Sequence, residues 1–70
     1  MSEHEQYLAE KEKIDQLLSE GYNIYHAVEN LDGAFVEFFH LKSGTKKTLH
    51  IRTANARKYF SSIFIQQKSS

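Results

Sequence analysis

The chain has 70 residues, with equal numbers of acidic and basic side chains and no cysteine. A chain of this length forms one small domain, and without cysteine it can hold no disulfide, thiolate metal ligand or thiol nucleophile. Since short secreted domains usually carry disulfides, this composition favours a cytoplasmic protein. The acidic N-terminus is unlike a signal peptide, and no apolar run approaches the ~20 residues of a membrane span.

The net charge of zero conceals a division between the two halves of the chain. Residues 1–38 hold all nine acids and only two bases, a net charge of −7, whereas residues 39–70 hold seven bases and no acid. Such asymmetry is typical of proteins that face a polyanion or an acidic partner. The alternative is that the two halves neutralise each other within the fold.

The first predicted element is a helix over about residues 3–20. Ser2 and Glu5 have the spacing of a capping box, and Gly21 stands where a left-handed C-cap belongs. Apolar residues recur between these limits at helical spacing, which predicts one apolar stripe: Tyr7, Leu8, Ile14, Leu17 and Leu18.

Three strands follow, over residues 22–29, 34–41 and 46–52, because aromatic and β-branched residues alternate there between turn signals. Asp32-Gly33 predicts a two-residue hairpin loop, and residues 42–45 predict a second turn. Both connections are short, so we expect an antiparallel meander.

The last predicted element is a helix over about residues 54–66, capped by Thr53 and followed by a frayed polar tail. The fold class is therefore α+β, a single domain over 1–70 with an ordered core of about 3–66 and two helices on one face of the sheet. The predicted core comprises Leu8, Ile14, Leu18, Ile24, Val28, Phe39, Leu49, Ile51, Tyr59, Phe60 and Ile63.

The sheet face away from the helices is a candidate interaction face, for which we select Tyr25, Phe38 and His40. A two-residue loop at Asp32-Gly33 would pair Tyr25 with His40 and put both outside, together with Phe38. The length of the second loop decides the faces of the third strand. A three-residue loop ending at Gly44 keeps them in line with the second strand, whereas an even-numbered loop reverses them, so the register stays open. Exposed aromatic residues can stack nucleic-acid bases or form a protein interface such as a homodimer.

The bases of the second half are the candidate nucleic-acid or anion site: Lys46, Lys47, Arg52, Arg57 and Lys58. Arg57 and Lys58 lie near the start of the second helix, where no acid offsets the helix dipole. Backbone N–H groups and cations together suit phosphate oxygens.

Catalytic, metal and cofactor sites are not predicted. The chain has no glycine-rich phosphate loop, and Ser43 lacks a histidine–aspartate pairing at a recognisable spacing. His26, His40 and His50 lie on adjacent predicted strands, but in neither register do all three share a face.

The α-β-β-β-α order resembles that of double-stranded RNA-binding domains, which use the start of their second helix to bind phosphates. The lysine-rich signature of that family is missing here, because residues 53–58 read Thr-Ala-Asn-Ala-Arg-Lys, and the glycine-rich loop before the helix is also absent. The resemblance is thus one of element order, which unrelated small regulators share.

We expect a small non-enzymatic regulatory or accessory binding protein. The first hypothesis is nucleic-acid binding through the basic half. The alternatives are a protein-interaction module or homodimer, using the aromatic sheet face or the acidic first helix, and a small domain whose ligand the sequence does not reveal. No membrane partner and no small-molecule substrate are expected.

Overall fold

The computed structural model of the protein describes residues 3–69, and side chains for 4–67. The elements are α1 (Glu3–Ser19), β1 (Tyr22–Asn30), β2 (Gly33–His40), β3 (Lys46–Ile51) and α2 (Ala54–Ser69). The strands form one antiparallel sheet in the order β1-β2-β3. The predicted α+β class and element order are therefore confirmed, whereas the capping box at Ser2 lies outside the described residues.

Both helices pack on one face of the sheet and enclose a single hydrophobic core. Each element contributes to it, which confirms that the helices share a face. The buried members are Ile14, Tyr22, Ile24, Ala34, Val36, Phe38, Ile51, Ala56 and Phe60.

A β-bulge at Tyr25 sets which residues of β1 reach this core. Ile24 pairs with Phe38, and His26 pairs with Glu37, so one residue of β1 is left over between them. An extra residue reverses the alternation of side chains beyond it. Ile24 consequently faces the helices, whereas Val28 faces away and is 47% exposed.

The connection between β2 and β3 is the even-numbered alternative. His40 and Thr45 are joined by a backbone hydrogen bond of 2.9 Å, which leaves residues 41–44 as a four-residue loop. Val36 therefore pairs with Leu49, and Ala34 pairs with Ile51. Leu49 and Ile51 face the helices as predicted, but beside Val36 and Phe38 instead of Phe39.

The predicted core is wrong at three positions, two on the strands and one on α1. Val28 and Phe39 lie on the outer face of the sheet, and Leu8 is 48% exposed on α1. Phe38 is instead completely buried, as are Ala34, Val36 and Ala56.

The first hairpin turns one residue earlier than the Asp32-Gly33 pair predicts. Asn30 pairs with Gly33, so Leu31 and Asp32 form the loop, and the Asn30 side chain accepts from the Asp32 backbone N–H at 2.8 Å. Gly33 has a φ of 121°. A Cβ at Gly33 would lie 2.4 Å from the Ile51 carbonyl oxygen, so a side chain is excluded there by space as well as by conformation.

The second helix continues to Ser69, beyond its predicted end at residue 66. Gln67 near its end donates to the Ile24 carbonyl at 3.1 Å, and its side-chain oxygen lies 3.5 Å from the Ile24 amide nitrogen. The amide side chain thus occupies backbone groups at the free edge of β1, where a further strand would otherwise pair.

Candidate nucleic-acid interface

The outer face of the sheet carries three rows of side chains that cross the strands. One end row places Tyr25 and Phe39 beside Lys46, and the other places Val28 and Phe35 beside His50. The middle row is polar and consists of His26, Glu37 and Thr48. We call these residues the outer face; both helices pack on the opposite side of the sheet.

The aromatic rings of the outer face form two pairs. The ring centroids of Tyr25 and Phe39 are 6.2 Å apart in an edge-to-face arrangement. Phe35 and His50 stack nearly parallel, with centroids 4.3 Å apart. The His50 ring is fixed further because its Nε2 lies 2.8 Å from the Asp32 carbonyl oxygen. Two ring pairs are therefore held at the two ends of the sheet face opposite the helices.

Of the three residues predicted for the interaction face, only Tyr25 lies on it. Phe38 is 0% exposed among the core residues, so its selection for this face was wrong. His40 lies on the helix side as well, where its ring meets the ring of Tyr22 at 5.0 Å and its Nε2 approaches the Glu20 carbonyl oxygen at 3.0 Å. The bulge at Tyr25 accounts for both differences. Without it, regular alternation from Ile24 would put Phe39 on the helix side, and Phe38 and His40 on the outer face; the extra residue reverses these faces.

The five predicted anion-binding cations occupy both ends of β3 instead of one continuous patch. Lys46 and Lys47 begin the strand, and Lys47 points to the helix side, with its Nζ 5.3 Å from the Tyr22 ring centroid. Arg52 follows the strand at its far end. Arg52 and Arg57 line one open depression of about 320 Å³ beside the turn at residues 30–33.

Arg57 and Lys58 also line a second, larger depression along α2, of about 500 Å³, which includes the acidic side chain of Glu29. Within the described part of the chain, the Nε of Arg57 is buried without a hydrogen-bond partner. The structure thus brings Arg52, Arg57 and Lys58 near one another and leaves Lys46 and Lys47 apart from them.

The acids of α1 do not neutralise these cations. Asp15 of α1 pairs with Lys11 of the same helix, at 2.9 Å. On the outer face, the Nε2 of His26 lies 4.0 Å from a carboxylate oxygen of Glu37. The cations that the sequence selected therefore have no carboxylate at ion-pair distance among residues 4–67.

Glu10 shows where an α1 carboxylate is used instead. It is 6% exposed, and its two oxygens accept from the backbone N–H of Arg52 at 2.8 Å and from both the N–H and the hydroxyl of Thr53, at 3.1 and 2.7 Å. Burial raises the pKa of Glu10, but these hydrogen bonds outweigh it and the pKa lies below its ordinary value. The charge of Glu10 is thus held by neutral donors.

Asp15 likewise connects the two helices through a neutral donor. It accepts a short hydrogen bond from the hydroxyl of Tyr59 on α2, and the Nζ of Lys11 lies 5.0 Å from the Tyr59 ring centroid. The hydrogen bond from Tyr59 is the largest cause that lowers the pKa of Asp15, and the hydrogen bond from Lys11 is the second. The hydrogen bond between Tyr59 and Asp15 also raises the pKa of Tyr59.

Sequence reasoning missed the contact between Ser43 and His40. The Ser43 hydroxyl lies 3.0 Å from His40 Nδ1, and the Ser43 backbone N–H donates to the same nitrogen at 3.1 Å. The hydroxyl also donates to Thr45 Oγ1 at 2.9 Å. Because one imidazole nitrogen receives the backbone donor and the other faces the Glu20 carbonyl, these contacts lock the β2–β3 turn to the end of α1. In the sequence, only the three-residue spacing between His40 and Ser43 across a predicted turn could have indicated this contact.

The described residues contain neither a cluster of metal ligands nor a membrane-spanning helix. No group of three or more histidine, aspartate or glutamate side chains among them is arranged to hold a metal ion. Within the same range, neither helix has the length and apolar character needed to cross a membrane. In comparisons with known proteins, no protein-family model, curated protein or solved structure matches the chain.

Proposed function

We propose that the protein is a small, non-enzymatic regulatory or accessory protein that binds nucleic acid through the cations of its second half. The observation that carries this proposal is the absence of any α1 carboxylate at ion-pair distance from those cations within residues 4–67. Exposed, unpaired lysine and arginine side chains gain affinity for phosphates by releasing condensed counterions. We place this activity in the cytoplasm, on the strength of the cysteine-free composition.

Variants that each lack one positive charge test the proposal. We expect Arg52→Gln and Lys46→Gln each to weaken binding of a fluorescent oligonucleotide about 3- to 10-fold at low salt, since each removes a phosphate contact. Fluorescence anisotropy measures the change. Arg52→Gln keeps the backbone N–H that Glu10 needs, so the fold retains this anchor.

Lys13→Gln is the matched control, because it removes one exposed cation from α1 and changes the net charge equally. Its affinity should match that of the unmodified protein. Binding that falls equally in all three variants would show a response to net charge alone, and no binding to any DNA or RNA at low salt would refute the proposal.

A second candidate function is protein binding through the outer face. Tyr25 and Val28 expose nearly half of their surfaces there, and Leu31 and Leu41 are exposed at the two hairpin turns. Exposed apolar side chains on one sheet face, such as Tyr25 and Val28, often mark protein interfaces. Light scattering at increasing protein concentration distinguishes a homodimer, which would shift towards twice the monomer mass.

A further inference from the structure

We infer that the outer face of the sheet is a stacking platform for single-stranded nucleic acid. Bases stack on Tyr25 and Phe39 at one end and on Phe35 and His50 at the other, while the phosphates pass Lys46 and Arg52. This inference rests on the proposed nucleic-acid binding and adds the class of ligand and the surface that receives it.

The aromatic rings have free surface for stacking. Tyr25 is 45% exposed, and Phe35, Phe39 and His50 are half-buried. In an edge-to-face pair, neither face of one ring is covered by the other ring, and in a parallel pair each ring covers only one face of its partner. Base-on-ring stacking tolerates any sequence because every base has a π-face.

The spacing of the ring pairs matches a short single strand. Phe35 and Phe39 are four residues apart on β2, which corresponds to ~13 Å at ~3.3 Å per residue. This distance is spanned by about four nucleotides at the ~3.4 Å rise of stacked bases. A duplex keeps its base faces inside its own stack, so it cannot use these rings.

Each ring pair has a cation beside it. Lys46 is the ladder partner of Phe39, and Arg52 comes two residues after His50, which is the ladder partner of Phe35. Both cations are exposed, and neither has a carboxylate at ion-pair distance among residues 4–67. Phosphates can therefore follow the β3 edge while their bases reach inwards over the rings.

The acid of the outer face lies between the ring pairs, whereas Asp32 of the first hairpin turn lines the same depression as Arg52. Glu37 is in the middle row, where His26 approaches it at 4.0 Å. A carboxylate in this position accepts hydrogen bonds from exocyclic amino groups of bases, as glutamate does from cytosine. Its charge is therefore compatible with bases at the centre and phosphates at the β3 edge.

The size of the face argues against a stable homodimer as the occupant. The three strands lie ~4.8 Å apart and pair over eight residues between β1 and β2 and six between β2 and β3, which gives a face of roughly 300–400 Å² in projection. A standard protein interface buries ~800 Å² on each partner. Two or three stacked bases, by contrast, are what a small open sheet accommodates.

The test compares a single-stranded oligonucleotide of about twelve nucleotides, as DNA and as RNA, with the duplex of the same sequence. The protein should bind at least one of the single strands about tenfold more tightly than the duplex at low salt. Tyr25→Leu should remove about tenfold of that affinity, because it keeps the apolar bulk but removes the ring. Tyr25→Phe should retain the affinity.

Leu8→Ala is the matched control, since Leu8 is 48% exposed, close to the 45% of Tyr25, but lies on α1 away from the outer face and has no ring. A measurement on the unmodified protein guards against misfolded variants: tyrosine fluorescence should be quenched by the single strand and unchanged by the duplex. The four tyrosines and the absence of tryptophan make this signal readable.

The outcomes separate this inference from the proposal on which it rests. Equal affinity for duplex and single strand, with no effect of Tyr25→Leu but a loss in Arg52→Gln, overturns the platform and leaves nucleic-acid binding standing. No binding of any probe overturns both. Self-association that Tyr25→Leu abolishes, without oligonucleotide binding, would assign the outer face to a protein contact.

Discussion

Glu10 shows how one buried carboxylate can hold two parts of a small fold together. It projects from the middle of α1 and accepts three hydrogen bonds from Arg52 and Thr53, where β3 ends and α2 begins. Thr53 in turn caps α2, because its hydroxyl oxygen accepts from the Ala56 backbone N–H at 3.2 Å. The predicted N-cap is therefore confirmed, and Glu10 positions it.

Replacing Glu10 with glutamine should destabilise the protein by about 2–3 kcal/mol. The amide group has one acceptor oxygen, so its NH₂ would face a backbone donor that has lost its partner. Denaturant unfolding measures the change. Glu12→Gln alters an exposed glutamate of the same helix and should leave stability within about 0.5 kcal/mol.

The same carboxylate predicts a pH dependence of stability. Its pKa is raised by burial but lowered further by its hydrogen bonds, so the folded-state pKa lies below the ordinary value of 4.5. The stability it contributes is full above pH 4.5 and is lost as the pH falls through the folded-state pKa. The free energy of unfolding of the Glu10→Gln variant should therefore decline less on acidification than that of the unmodified protein; parallel declines would contradict this assignment.

At the scale of the element, β2 is the strand on which the fold and the candidate site both depend. It lies at the centre of the sheet, and its alternate residues serve opposite faces. Phe38 is packed in the core, whereas its neighbour Phe39 contacts Tyr25 on the outer face. Two adjacent phenylalanines thus carry separate roles, one in stability and one in binding.

Alanine substitutions at these neighbours test the register directly. Phe38→Ala should cost about 3–5 kcal/mol and remove most of the cooperative unfolding transition, because it leaves a cavity in a small core. Phe39→Ala should cost about 1 kcal/mol, since it loses a half-exposed ring contact. Thermal unfolding by circular dichroism measures both, and the opposite order of effects would show that the strand faces are reversed.

The sequence pattern predicted the elements well and the strand faces poorly, for a physical reason. Helix periodicity, Gly21 and Thr53 are local signals, and they located both helices. The bulge at Tyr25 follows from how β1 meets β2 and the core, and nothing in the local pattern of β1 marks it. One extra residue was enough to exchange Phe38 for Phe39, so part of the interaction face was assigned to the wrong side.

The faces of the cations on the third strand could not be predicted from the sequence for the same reason. The predicted strand over 46–52 already put Lys46 and Arg52 at its two ends, but only the register shows that Lys47 points to the helix side whereas Lys46 lies on the outer face. The donors to Glu10 and the Tyr59 hydroxyl that donates to Asp15 were likewise not predictable, because they come from residues more than forty positions away.

For the whole molecule, the division of charge in the sequence persists in the folded protein. In the first helix, Glu10 accepts from the backbone N–H of Arg52, and Asp15 accepts from the hydroxyl of Tyr59 and pairs with Lys11 of the same helix. The cations around β3 and the start of α2 are left without carboxylate partners in the described residues. A molecule with zero net charge therefore keeps a locally cationic surface next to the aromatic rings of its outer face.

The salt dependence of single-strand binding tests this account most directly. If three or four cations contact phosphates, the logarithm of the association constant should fall with the logarithm of salt concentration with a slope of about −2 to −3. Anisotropy titrations between about 20 and 200 mM salt measure that slope. A slope near zero, or no binding even at the lowest salt, would contradict the claim that these cations are available to a polyanion.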